Sequence, residues 1–197
     1  MKKNPLLAVK KLGQHVWLDN LSRPLLKEGS LERLIAEDGI DGVTSNPAIF
    51  QKAIADSAYY RDDLERMLGA DLTAEARYET LVIPDIRAAC DLLLPAYVAS
   101  SGTAGYVSLE VSPALAGDAK ATMAAAQRLH QAVKRANLLI KVPATAAGLQ
   151  AFEQLTAAGM SVNVTLIFSL AQYEDVAQAY LRGALRWLER GGDTRKL

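Results

Sequence analysis

A lysine set inside an apolar run is the first residue in this chain that could do covalent chemistry. Lys141 lies in Leu138-Leu139-Ile140-Lys141-Val142-Pro143-Ala144-Thr145. The run predicts a strand buried on both faces, as in a parallel sheet. Burial disfavours an ammonium, so desolvation is expected to push this amine down from about 10.4. A neutral amine there attacks carbonyls, which makes Lys141 a candidate Schiff-base nucleophile. The same run also fits a strand-end lysine whose stem covers apolar surface while its head reaches water.

Further polar residues fall in phase with it. Side chains alternate along a strand, so each strand has two faces to compare. Around residues 106–111, Tyr106, Ser108 and Glu110 oppose Val107, Leu109 and Val111. In the lysine strand, Leu139 and Lys141 oppose Ile140 and Val142. Over 162–168, Asn163, Thr165 and Ile167 oppose Val162, Val164, Leu166 and Phe168. Near the start, Gly42 and Thr44 oppose Val43, with Asn46 in phase just beyond, and Trp17 and Asp19 oppose Val16 and Leu18. Ser45 falls on the other parity. Each of the five runs thus has one greasy face and one face with a polar group near its C-terminal end. A lysine with a nearby carboxylate and hydroxyls is the toolkit of imine chemistry: nucleophile, proton shuttle and water holder. Taken singly, these residues have plainer readings. Asn46 before Pro47 is a turn residue, Asp19 could cap the next segment, and Asn163 with Thr165 could be a buried hydrogen-bonded pair.

The elements that must position them alternate in type. Residues 4–12 read as a short helix leading to a strand at 16–19. Residues 22–38 read as a helical segment, with Ser30 as a candidate N-cap and Gly39 as its stop. A strand over 42–45 ends at Asn46-Pro47, where Pro47 opens a helix expected to reach about Leu68. Thr73 is expected to cap a long helix to about Ala99, with a kink, break or boundary at Pro84 and at Pro95. After the third strand, Asp118 starts a helix with Met123, Ala126, Leu129 and Val133 on one face. Helices over 145–158 and about 170–190 flank the fifth strand, the last with Tyr173, Val176, Tyr180, Ala184 and Trp187 at helical spacing. Alternating strands and helices predict parallel strands, hence an α/β barrel or a doubly wound sheet. No Gly-x-Gly-x-x-Gly or Walker-type loop follows any strand. In a barrel the polar faces would point at the axis, and Asp19, Thr44, Asn46, Glu110, Lys141, Asn163 and Thr165 would converge at the C-terminal rim.

Composition narrows the setting. Half of the 197 residues are hydrophobic, enough for a sizeable core and one domain. Lys+Arg and Asp+Glu are both 22, so no basic surface points to nucleic acid or an anionic membrane. The single cysteine, Cys90, cannot form an intrachain disulfide, and a cytoplasmic setting fits. The apolar stretch behind Met1-Lys2-Lys3 is broken by Lys10 and Lys11, too soon for a signal peptide, and no run approaches a membrane span.

Gly42-Val43-Thr44-Ser45-Asn46-Pro47-Ala48 and Leu139-Ile140-Lys141-Val142-Pro143-Ala144-Thr145 resemble two signatures of the transaldolases. Ser108-Leu109-Glu110-Val111 and Asn163-Val164-Thr165-Leu166-Ile167-Phe168-Ser169 are similar to two further strands of that family. The resemblance covers essentially the whole chain. It implies a TIM (β/α)8 barrel of the class I aldolase type. The helices over 47–99 resemble the extended insertion of the bacterial transaldolase branch more than the compact fructose-6-phosphate aldolase branch. It also implies a cofactor-free transfer of a dihydroxyacetone unit between sugar phosphates in the pentose phosphate pathway. On that resemblance Lys141 forms the imine, Glu110 moves protons through a bound water, and Thr165 holds that water. Asp19 exchanges the proton of the substrate hydroxyl as the C–C bond breaks. Asn46 and Asn163 hold the substrate, with Thr44 as a further contact.

The chain carries about five of the eight strands, and a barrel typically takes about 250 residues. The resemblance therefore implies a single barrel domain over 1–197, truncated after Asp193-Thr194-Arg195-Lys196-Leu197 near where a sixth strand should begin. The family's phosphate-holding residues would lie beyond. From this come three competing expectations: a transaldolase, a class I aldolase that releases a small ketone, or an inactive fragment that self-associates through an open barrel edge.

Overall fold

The computed structural model describes residues 4–193 and Leu197. Its elements are α1 (Pro5–Lys10), β1 (Trp17–Asp19), α2 (Arg23–Lys27), α3 (Ser30–Arg33), β2 (Gly42–Thr44), α4 (Pro47–Asp56), α5 (Arg61–Arg66) and α6 (Ala74–Ala99). There follow β3 (Tyr106–Glu110), α7 (Ala119–Val133), β4 (Leu138–Pro143), α8 (Ala146–Ala157), β5 (Val162–Thr165) and α9 (Leu170–Glu189). The strand order is β1-β2-β3-β4-β5, which is the chain order, and the β1–β2 and β4–β5 pairs run parallel. A helix between each pair of neighbouring strands is the α/β pattern the sequence predicts. The expected start of a sixth strand falls on residues 194–196, outside the described residues.

The chain divides into two compact units. The first is Met1–Val107 with Val133–Asn137, and the second is Ser108–Ala132 with Leu138–Leu197.

In the first unit the helices differ from the expectation in two places. Residues 22–38 are three pieces, not one: Ser22 caps α2, Gly29 turns left-handed at φ 70° before α3, and Leu34–Asp38 winds as a π-turn. Ser30 is the first residue of α3 rather than its cap, since Gly29 takes that place. The helix opened by Pro47 stops at Asp56, because Ser57 goes extended and its Oγ accepts from Tyr59 N–H. That break swings Tyr60 into the core, where it is wholly buried beside Met67 and Leu81. Of the kink, break or boundary expected at Pro84 and Pro95, α6 shows neither a break nor a boundary. Each proline removes a ladder bond, at about 3 kcal/mol. The buried Leu81, Val82, Ile86, Ala89 and Leu93 hold the helix together on both sides of Pro84.

The α6 anchor is polar. Arg23, 8% exposed, donates from Nε to Asp85 (2.8 Å) and from Nη2 to the Leu81 carbonyl (2.9 Å). Its Nη1 reaches Asp63 and the Tyr59 carbonyl, and its guanidinium lies 4.3 Å over the Tyr60 ring. Tyr60 Oη accepts from Arg23 N–H and donates to the other Asp85 oxygen. Burial pushes the Asp85 carboxyl up, and the Arg23 hydrogen bond and charge pull it back. Removing one partner of a buried pair strands the other. Arg23→Met should therefore destabilise the protein by about 3–5 kcal/mol. The double variant Arg23→Met/Asp85→Leu should recover most of that in urea unfolding. Equal loss in single and double variants would mean that packing, not the stranded charge, sets the cost.

In the second unit, α7 buries Ala126 and Leu129 as expected, and Met123 is half-buried. Asp118 Oδ1 caps it by accepting from Ala121 N–H. The α8–α9 seam is made of small residues. Ala179, Gly183 and Ala184 are buried, and a Cβ on Gly183 would lie 2.6 Å from the Glu153 carbonyl oxygen. The expected α9 face is corrected at its start, where Tyr173 is 60% exposed. Close approach selects the small residues at the seam, while Tyr180 stacks on Phe152 of α8 with ring centroids 6.4 Å apart and Trp187 packs over Gly159.

Candidate active site

In the second unit, Lys141 Nζ lies 3.0 Å from a carboxylate oxygen of Glu110, with the two side chains 12% and 16% exposed. The strand around Lys141 is not buried on both faces. Leu138, Ile140 and Val142 are at most 2% exposed, while Leu139 and Lys141 alternate with them as half-buried residues. The reason is the polar face they share with Glu110, Ser108 and Asn163. Val111 N–H donates to the Lys141 carbonyl (3.1 Å), fixing β4 against the end of β3.

Register places the rest. Lys141 is matched with Asn163 and Pro143 with Thr165, so these four share one side of the sheet. Asn163 Nδ2 donates to Ser108 Oγ at 2.9 Å. β3 and β5 flank β4, and second-neighbour strands in a flat sheet stand about 9.6 Å apart. Two short side chains close that gap only if the sheet curls toward them. Such layers, contributed by alternate strands, fill a barrel interior. Ser108 is wholly buried and belongs to this set. Its signal was present in sequence as the in-phase neighbour of Glu110.

β5 ends at Thr165 rather than at Phe168. Leu166 turns left-handed at φ 64°, so Ile167 and Phe168 leave the strand's alternation, and Leu166 and Phe168 are 53% and 84% exposed. The turn delivers Ser169, whose Oγ caps α9 by accepting from Gln172 N–H.

In the first unit, Asp19 is matched with Thr44, and Thr44 Oγ1 donates to Asp19 Oδ1. Trp17 is matched with Gly42, where a Cβ would sit 2.2 Å from the indole ring. Only glycine lets that ring lie flat on β2. The cap of the next helix, α2, is Ser22 and not Asp19. Asn46 is the N-cap of α4, its Oδ1 accepting from Ile49 N–H at 2.9 Å. The plain turn reading thus describes its oxygen, and the amide nitrogen is its remaining donor group. Ser45 is buried, as its parity predicts.

Cys90 is no rival nucleophile. It is buried in α6, and burial pushes its thiol up to about 12. Among the described residues, no group of three or more His, Cys, Asp or Glu is placed to hold a metal ion. No helix of the described residues is long and apolar enough to cross a membrane.

Comparison with known proteins gives the family. The family described as Transaldolase/Fructose-6-phosphate aldolase matches residues 16–193. The transaldolase of Thiobacillus denitrificans is 56% identical over 188 residues, covering 95% of this chain and 52% of the relative. Transaldolase 2 of Nostoc punctiforme is 47% identical over 197 residues, all of this chain and 52% of the relative. The transaldolase of Neisseria gonorrhoeae is 50% identical over 186 residues, 94% of this chain and 53% of the relative. The chain spans about half the length of these curated relatives. With parallel strands alternating with helices and a match that runs from β1 past α9, the chain belongs to the transaldolase/fructose-6-phosphate aldolase family of α/β barrels.

Proposed function

We propose that Lys141 forms an imine with a ketose phosphate and that the enzyme passes the resulting dihydroxyacetone unit to an aldose phosphate. The observation that carries this is the Lys141–Glu110 contact of 3.0 Å on a polar, inward-curling face. Attack needs a neutral amine, and Glu110 is within reach to take the ammonium proton. Nitrogen adds to the substrate C2 carbonyl, giving a carbinolamine. Glu110 returns a proton, through a water held by Thr165, as that hydroxyl leaves. The protonated imine then acts as electron sink. When the C3–C4 bond breaks, its electron pair flows to nitrogen and Asp19 takes the C4 hydroxyl proton. An aldose phosphate departs and an enamine stays on Lys141. The enamine carbon attacks the acceptor aldehyde, Asp19 gives the proton back, and hydrolysis frees the product. Asn163, Asn46 and Thr44 hold the hydroxyls of the dihydroxyacetone unit. Donors are sedoheptulose 7-phosphate or fructose 6-phosphate, and acceptors are glyceraldehyde 3-phosphate or erythrose 4-phosphate. This is the non-oxidative pentose phosphate pathway, a cytoplasmic one.

A second reading is favoured by the family's description, which joins transaldolase to fructose-6-phosphate aldolase. An aldolase of this type releases free dihydroxyacetone without any acceptor. The full gene product should be assayed with fructose 6-phosphate in the presence and absence of erythrose 4-phosphate. Transfer yields sedoheptulose 7-phosphate and glyceraldehyde 3-phosphate only when the acceptor is present. Free dihydroxyacetone in its absence would move the protein to the aldolase reading. Silence in both arms would leave the inactive fragment.

A further inference from the structure

The place where β5 leaves the sheet is held by one side chain. Parallel strands lose backbone partners at their C-terminal ends, and those groups must be satisfied elsewhere. Ala144, just past β4, donates its N–H to the Thr165 carbonyl at 2.8 Å. Beyond Thr165 the chain turns at Leu166 with φ 64°, a conformation that branched L residues rarely adopt. Leu166 and Phe168 are largely exposed, so apolar packing does little to keep the turn in place. Gln172 does. Its Oε1 accepts from Phe168 N–H at 2.8 Å, and its Nε2 donates to the Ala144 carbonyl at 2.9 Å. The partners fix which way the amide points, because the N–H requires an acceptor and the carbonyl a donor. One side chain therefore closes a ring that runs from Thr165 to Ala144, through Gln172, to Phe168. Gln172 is itself anchored, since its own N–H donates to Ser169 Oγ at the start of α9.

We propose that Gln172 is a positioning residue for the imine step. It fixes Thr165 relative to the end of the strand that carries Lys141, and it rests on the reading of Lys141 as the imine lysine. Thr165 lies three residues before Phe168, and Lys141 lies three residues before Ala144, so the bridge clamps both strand ends at equal distance along the chain. A hydroxyl that holds a reacting water tolerates little displacement: about 1 Å can cost about 10²-fold in rate. Thr165 is read as holding the reacting water and not the substrate, so the effect falls on the chemical step.

The test measures the rate of borohydride trapping with saturating fructose 6-phosphate, with peptide mapping of the label. Gln172→Met keeps the side chain's length and removes both hydrogen bonds. It should trap about 10–10²-fold more slowly, with KM changed less than about threefold. Gln172→Glu keeps the acceptor for Phe168 but, when ionised, turns an oxygen toward the Ala144 carbonyl. Protonation restores a donor, so its rate relative to the unsubstituted enzyme should rise as pH falls from 8 toward 5. That ratio cancels pH effects common to both proteins and stays informative if Gln172→Met folds poorly. Label on Lys141 with Gln172→Met trapping at the unsubstituted rate overturns the inference and leaves the imine reading standing. So does a ratio that stays flat with pH. Absence of label from Lys141 in the unsubstituted protein overturns the imine reading, and this inference with it.

Discussion

Lys141→Met should abolish borohydride trapping and lower transfer by about 10⁴-fold or more, the scale of losing a covalent nucleophile. Lys141→Arg should fail equally. A guanidinium keeps the charge opposite Glu110 but stays protonated and cannot add to a carbonyl. The two variants together separate electrostatics from nucleophilicity. If Arg restored turnover, Lys141 would be only a counter-charge. The remaining lysines give the control. Lys120 and Lys134 are exposed on or beside α7, and a label found on either would sink the assignment of Lys141. Methionine is the better truncation, because it keeps the length of the stem and leaves the backbone bond to Val111 N–H intact. A melting temperature near that of the parent would show that the loss is chemical.

The polar face was legible in sequence because period two is imposed by the backbone itself. Each strand's own alternation put Lys141, Glu110, Asn163 and Thr165 on its polar face, and the register of β4 on β5 matches Lys141 with Asn163 and Pro143 with Thr165. Asp19 and Thr44 followed in the same way. What alternation does not carry is curvature. That Ser108 and Asn163 meet across β4 depends on how far the sheet curls, a tertiary property.

The helical segments were less legible for a related reason. The break after Asp56 is enforced by the position of Tyr60, whose hydroxyl serves Asp85 from 25 residues away in sequence. No local pattern announces that. Arg23 reads locally as a solvated basic residue, and only α6 makes it a buried clamp. Gln172 is similar. In the first turn of α9 it looks like an ordinary polar helix residue. Its function arises from the left-handed turn at Leu166, which propensity argues against.

Glu110→Gln should slow imine formation by roughly 10²–10⁴-fold, the range for losing a general acid–base group. The substitution is nearly isosteric. A carboxamide oxygen can still accept from the Lys141 ammonium at the observed 3.0 Å, so the pair's geometry is kept. What it cannot do is take the ammonium proton or give one to the departing carbinolamine hydroxyl. The deficit should therefore appear in the rate of trapping at saturating substrate rather than in KM. Circular dichroism should match the parent, because Glu110 lies at the end of β3, where Val107 and Leu109, 0% and 2% exposed, carry the packing. The amount of label finally reached on Lys141 separates two roles. A general acid–base group changes the rate of approach and leaves the nucleophile able to react, so slow but complete labelling is expected. Rapid labelling with normal turnover would reduce Glu110 to a structural counter-charge for Lys141 and leave the proton transfers to another group.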